Sequence, residues 1–247
     1  MIGWDNIIQP KSSYLLTGDV GSGKSALAYY LLEICSQKYN LVPVVVGLPE
    51  SKRRLLPTNF GFLSDVDEIA SKENAIIFID ESDIQLPLDS NKNKEEVIDF
   101  LSLPRQRKQI LILAYHFPRL VKGTYLPFFS GFLFKQPPYL IEFAAKLGSV
   151  EIIRMMQRAS IEFDNLPINP AAQVSPGEYA EAIRRNTYVV APRIRWQGMI
   201  ENTLCSFWSE ELSEIWAGTG IRQDKEELTR GQAMRQLRSQ LRKYGMV

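Results

Sequence analysis

Strand and helix signals alternate through the first 140 of the chain's 247 residues, which predicts an α/β fold with a mainly parallel sheet and helices on both faces. Short apolar and β-branched runs recur at Tyr14–Thr17, Val44–Val46, Ala75–Ile79, Ile110–Tyr115 and Gly131–Lys135. These runs are continuous rather than alternating, as strands buried on both faces require. Helical spacing fills the intervals, most clearly from Lys24 to Tyr39, where Leu27, Tyr30, Leu31 and Ile34 repeat at helical intervals.

The remaining elements follow in order. Ser64-Asp65-Val66-Asp67-Glu68 opens a short helix with a cap and early acids. Glu95–Leu103 reads as a helix that stops before Pro104, because the residue before proline is pushed out of helical geometry. Tyr139–Gln157 carries an apolar stripe and reads as a helix. Residues 167–177 form a proline-containing connection, Thr187–Val190 a strand and Phe207–Trp216 a helix. A polar helical pattern covers Gln223–Tyr244. The expected division is a core at 1–145, a small C-terminal α+β extension at 146–220 packed on the core, and a basic helical tail at 221–247.

Composition excludes several classes. The 29 basic and 28 acidic residues nearly cancel, so a uniformly basic nucleic-acid coat is ruled out. The balance hides a basic tail, because every acid after Arg222 precedes Thr229. Two cysteines, Cys35 and Cys205, cannot make a disulfide framework and read as small buried hydrophobes. A single histidine excludes a His-rich metal site. No apolar run approaches the roughly 20 residues of a membrane helix. The start lacks a signal-peptide pattern, so a soluble, cytoplasmic protein is expected.

Gly18-Asp19-Val20-Gly21-Ser22-Gly23-Lys24-Ser25 matches G-x-x-x-x-G-K-[ST], the phosphate-binding loop known as Walker A. Its glycines let backbone N–H groups converge on phosphate oxygens, and the following helix aims its positive end at the same anion. Lys24 supplies a full charge at the β/γ-phosphates of ATP, and the Ser25 hydroxyl can ligate Mg²⁺. An expected strand before the loop and helix after it separate this motif from a chance Gly-rich turn.

The second motif, Walker B, is the apolar run Ala75–Ile79 followed by Asp80-Glu81-Ser82. Asp80 would hold Mg²⁺, and Glu81 would polarise the attacking water. Most acidic pairs at strand ends are merely solvated; this one lies about 55 residues after a phosphate loop. The intervening strand Val44–Val46 implies that the acidic strand is not the loop strand's sequence neighbour. That order, with an adjacent Glu, is typical of motor ATPases. No guanine-reading N-K-x-D occurs: Asn91-Lys92-Asn93-Lys94 ends in Lys.

The third block runs from Pro104 through Arg105, Arg107 and the strand Ile110–Tyr115 to His116-Phe117-Pro118-Arg119. Ligands bind at the carboxyl ends of parallel strands, so His116 is the candidate γ-phosphate sensor. Arg105 and Arg107 could be solvated, bind phosphate, or reach a neighbour's nucleotide as an arginine finger, with Arg119 a weaker candidate.

Together GDVGSGKS, IIFIDES and LPRQRKQILILAYHFPRL resemble the HerA/FtsK class of ring ATPases, most closely its viral and mobile-element branch, which includes the zonula occludens toxin (Zot) domain family. The resemblance covers roughly residues 10–140, and only the third block points to this class. His116 stands where the class usually has Gln. Phe207-Trp208-Ser209-Glu210-Glu211 looks like the tail of phage-type Zot-domain proteins.

The resemblance implies a RecA-like (ASCE) P-loop NTPase core, Mg²⁺-dependent ATP hydrolysis, self-association into a ring, usually a hexamer, and translocation of DNA. Genome packaging or transfer in a virus or mobile element is the expected role, with a capsid or other phage protein as partner. Zot-type members usually carry a membrane helix, which this chain lacks. Three alternatives remain: a Zot-like phage morphogenesis ATPase, a helicase or loader-type ring ATPase, and a nucleotide-dependent regulatory module. Arg184, Arg185, Arg193 and Arg195, near Tyr188 and Trp196, would either grip DNA or form a solvated strand surface. Arg235, Arg238 and Arg242 lie on one side of the tail helix, away from Met234, Leu237 and Leu241. They would bind phosphates, a neighbour or a capsid, or simply be solvated.

Overall fold

The computed structural model describes residues 2–19, 21–80, 82, 94–116, 121–137, 149–166, 181 and 183–216. Val20, Glu81, Arg119, the connection at 167–177 and the basic tail lie outside them. The chain opens with helix α1 (Trp4–Ile7), strand β1 (Ser12–Thr17), helix α2 (Lys24–Tyr39) and strand β2 (Val42–Val46). Helix α3 (Glu50–Arg53), strand β3 (Gly61–Leu63), a 3₁₀ helix (Val66–Ser71) and strand β4 (Ala75–Ile79) follow. Then come helix α4 (Lys94–Arg107), strand β5 (Ile110–Tyr115), a 3₁₀ helix (Gly123–Phe128) and strand β6 (Gly131–Phe134). Helix α5 (Val150–Asp164) and the hairpin of β7 (Asn186–Ala191) and β8 (Trp196–Glu201) complete a compact unit, Met1–Trp208.

The sheet order is β3-β2-β4-β5-β1-β6-β7-β8. The first six strands in that order are parallel; β7 and β8 run antiparallel to their neighbours. β1, β4 and β5 are buried along their whole length, which is why their sequences are unbroken apolar runs. Leu15, Ile77, Ile79, Leu111 and Leu113 share one core with Val97 and Leu101 of α4 and Ile152 and Met156 of α5. The alternate residue Phe78 instead meets Tyr29 of α2, ring to ring at 5.7 Å. Helices therefore cover both faces, as expected.

The β7–β8 hairpin comes from the stretch read as an extension, and it lengthens the same sheet. A second unit, starting at Ser209, contains helix α6 (Glu210–Trp216), whose first turn is capped by Ser209 Oγ accepting from Leu212 N at 3.1 Å. No helix among the described residues is long and apolar enough to cross a membrane.

One expectation needs correction. Helix α4 does not stop before Pro104 but carries it and ends at Arg107. Its last turn closes because Gln109 N donates to Pro104 O at 3.0 Å, with Lys108 in the left-handed region (φ 54°). The short helix expected to open at 64–68 is present as the 3₁₀ helix Val66–Ser71, with its cap as expected. Asp65 accepts from Asp67 N, and Glu68 accepts from the N–H groups of Ser64 and Asp65.

Candidate functional site

Parallel pairing sets the carboxyl ends of β1, β4, β5 and β6 along one edge. Thr17 pairs with Tyr115, and Leu113 with Ile79, so the residues just beyond these strands gather there. Those residues are the Gly18–Ser25 loop, Asp80, His116 and Lys135. β5 lies between β1 and β4, so His116 emerges between the phosphate-loop strand and the acidic strand.

The loop is built from what its sequence permits. Gly18, Gly21 and Gly23 have φ of 155°, 75° and 91°, a region L-residues avoid. A Cβ on Gly18 would stand 2.6 Å from Lys135 Cβ, so glycine is needed there for space as well. The loop is anchored by Asp19 N donating to Gln136 O at 2.9 Å. Lys24 is buried and donates Nζ to Gly18 O and Asp19 O, both at 2.9 Å. Thr17 Oγ1 and Ser22 Oγ are buried and have no hydrogen-bond partner among the described residues.

These features fit a polyphosphate. A 16-residue helix points its N-terminus into the loop. The Ser22 hydroxyl has a donor to give, and neutral carbonyls hold an ammonium that phosphate oxygens would hold more strongly. Ser25 Oγ lies 3.5 Å from Asp80 Oδ2, at the long limit of a hydrogen bond. These two oxygens suit a hard cation such as Mg²⁺. No group of three or more His, Cys, Asp or Glu side chains capable of holding a metal exists among the described residues. Mg²⁺ here would therefore complete its shell with phosphate oxygens and water, as it commonly does.

Of the sequence-derived candidates, the edge gathers Gly18, Asp19, Gly21, Ser22, Gly23, Lys24, Ser25, Asp80 and a half-buried His116. Arg105 and Arg107 lie elsewhere. They sit in the last turn of α4, which leads into the amino end of β5. Arg107 pairs with Glu73 at 2.8 Å. Arg105 lines a cavity of about 470 Å³ with Phe129, Phe132, Glu151, Met155 and Arg193. The arginine cluster expected for DNA also divides. Arg184 and Arg185 precede β7, whereas Arg193 and Arg195 sit in the turn at its other end. Six strand residues separate the pairs, roughly 20 Å at strand rise. Arg185 pairs with Glu181, and Arg193 donates to Ser12 Oγ.

Sequence reasoning missed Lys135 and read Arg184 as a DNA or surface residue rather than as a neighbour of the phosphate loop. Lys135 is fully buried and donates Nζ to Arg184 O (2.6 Å), Asn202 Oδ1 (2.7 Å) and Asn186 O (3.0 Å). Burial pushes its ammonium well below the usual lysine range. Arg184 donates Nε to Gly21 O at 3.1 Å. Their only sequence signals are a lysine directly after an apolar run and an arginine before a β-branched one.

No family model matches the chain, and no curated protein does. Solved structures do. The DNA-packaging ATPase B204 from Sulfolobus turreted icosahedral virus aligns with a TM-score of 0.52 at 10% identity, over 78% of this chain and 98% of that one. The genome packaging NTPase B204 from Sulfolobus turreted icosahedral virus 2, in complex with sulfate, aligns with a TM-score of 0.52 at 12% identity, over 80% and 99%. Its complex with ATP-gammaS gives 0.50 at 10% identity, over 78% and 97%. At such identities the likeness speaks for the fold, and with the strand order above the fold is that of a RecA-like P-loop NTPase.

Proposed function

We propose that this chain is an Mg²⁺-dependent ATPase that drives DNA movement in viral or mobile-element genome packaging, within the HerA/FtsK class. The observation that carries the ATPase reading is the approach of Ser25 to Asp80 across 55 residues of sequence, beside a buried Lys24. The likeness to viral genome-packaging NTPases supports the packaging role.

In this reading the loop N–H groups and Lys24 hold the phosphates, Lys24 leaving the Gly18 and Asp19 carbonyls for phosphate oxygens. Ser25 and Asp80 would hold Mg²⁺, which would supply positive charge beside the phosphates when bound. Glu81, the residue after Asp80, polarises the attacking water. His116 donates to the γ-phosphate from the tip of β5. Arg105 or Arg107 serves the nucleotide of a neighbouring subunit in a ring.

The test is ATP turnover with and without DNA. Lys24→Ala should weaken nucleotide binding, and Glu81→Gln should bind ATP but lose turnover by about 10²-fold or more. His116→Ala should slow hydrolysis while sparing ADP affinity, and His116→Gln should retain much of it. Near-normal turnover by Glu81→Gln would remove Glu81 from the mechanism. Turnover indifferent to DNA would remove the motor role.

A further inference from the structure

We propose that Arg184 is a nucleotide-binding residue of this site, its guanidinium gripping the α- and β-phosphates from the β7 side of the loop. This rests on the nucleotide reading above.

The placement follows from the sheet. β7 is antiparallel to β6, so its first residues lie at the carboxyl edge of the parallel strands. The residues just before it are thereby brought beside the phosphate loop, some 160 positions away in sequence. Arg184 is in direct contact with that loop. Besides the Nε bond to Gly21 O, its main chain packs on Gly23. A Cβ built there would meet Arg184 O at 3.3 Å and Arg184 Cβ at 3.4 Å. Its carbonyl is fixed from beneath by the buried Lys135 ammonium. The backbone is thus anchored while the side chain stays exposed.

The guanidinium has donors to spare. Arg185 spends its charge on Glu181; among the described residues Arg184 makes no ion pair and its guanidinium donates only Nε, to the loop. Its Nη groups are left to donate in the planar, forked geometry that suits phosphate.

The topology also selects which phosphates. Asp80 and His116 arrive from β4 and β5, on one side of β1. Their proposed chemistry concerns Mg²⁺ and the γ-phosphate. Arg184 arrives from β7, across β6 on the other side of β1. A nucleotide laid over the loop with its γ-phosphate toward β4 and β5 turns its α- and β-phosphates toward Arg184. These groups are present in ATP and ADP alike, so the contact is uniform binding rather than transition-state stabilisation.

The experiment measures ATP and ADP affinity with fluorescent analogues, and steady-state hydrolysis, for the full-length wild type, Arg184→Ala and Arg184→Gln. Glutamine can still donate an N–H to Gly21 O but carries no charge. Both variants should lose about tenfold to hundredfold in affinity, by the same factor for ATP and ADP. KM for ATP should rise by that factor, with kcat at saturation within about twofold of wild type. Wild-type affinity in Arg184→Gln would reduce Arg184 to a strut for the loop and overturn the proposal. So would an unchanged KM with a fallen kcat, which would mean that Arg184 acts on the chemistry. Wild-type protein that binds neither nucleotide would overturn the nucleotide reading itself. Wild-type binding matched by Arg184→Ala would overturn the role of Arg184 alone.

Discussion

Lys135 joins the phosphate loop to the β7–β8 hairpin through one buried ammonium. Its N–H donates to Thr17 O at 2.7 Å, and its Nζ reaches three acceptors on the hairpin side. An ammonium has three donors, so the count matches, and burial is the opposing cost. Lys135→Met would strand all three acceptors, and we expect a loss of about 2–4 kcal/mol in urea unfolding. Because the folded pKa lies below the unfolded value, the unfolded chain binds more protons between the two. The lysine's contribution to stability should therefore rise with pH, from the lowered folded pKa up to about 10.5. The gap between wild type and Lys135→Met should widen over that window; a constant gap would contradict it. The cysteines behave oppositely. Burial pushes the Cys35 and Cys205 thiols up to about 12. Neither should react with a thiol reagent at pH 8 until the chain is unfolded. At this scale the sequence revealed the residues whose chemistry is local: a glycine-rich loop and an acid after a strand carry their own spacing. Lys135 and Arg184 are defined by contacts 49 and 163 residues distant, for which no local pattern exists.

Elements were legible where burial wrote the pattern. Ala75–Ile79 and Ile110–Tyr115 match their expected limits because every residue in them is covered on both faces. β8 was missed because its residues are half-buried or exposed, which leaves no apolar run to read. β3 was missed because it is three residues long. The end of α4 differs from the sequence expectation because proline's local cost does not decide it. Tertiary contacts prevail instead: Pro104 is buried, and the Leu101 carbonyl one turn earlier accepts from Ser13 Oγ at 3.3 Å. The closing turn sets Lys108 at φ 54°, where a side chain costs roughly 1–2 kcal/mol. Glycine avoids that cost but loses more entropy on folding. Lys108→Gly should therefore stabilise the protein by a net of about 0.5–1 kcal/mol, read as a rise in the urea midpoint at constant slope. A drop would mean that the lysine side chain contributes more than its backbone strain removes.

For the whole molecule, the sheet has two working edges. The carboxyl edge holds the loop, Asp80 and His116; Arg105 and Arg107 lie by the amino edge. Five or six residues of strand separate the edges, roughly 20 Å, so neither arginine reaches the nucleotide site of its own chain. If either stabilises transition-state charge, it does so for a neighbour, where such a finger is worth roughly 10³–10⁵ in rate. ATPase rate per subunit should then climb steeply with protein concentration as rings assemble. Arg107 is already paired with Glu73, whereas Arg105 lines an open cavity, so Arg105 is the stronger candidate. Arg105→Ala should abolish the climb and leave ATP affinity intact. Arg107→Ala should lose less, and only through a surface ion pair worth under about 1 kcal/mol. Mixing Arg105→Ala with Lys24→Ala protein should restore part of the activity, because one supplies intact loops and the other intact arginines. A rate independent of concentration, with no rescue on mixing, would show that each chain completes its site alone and would remove the ring from the mechanism.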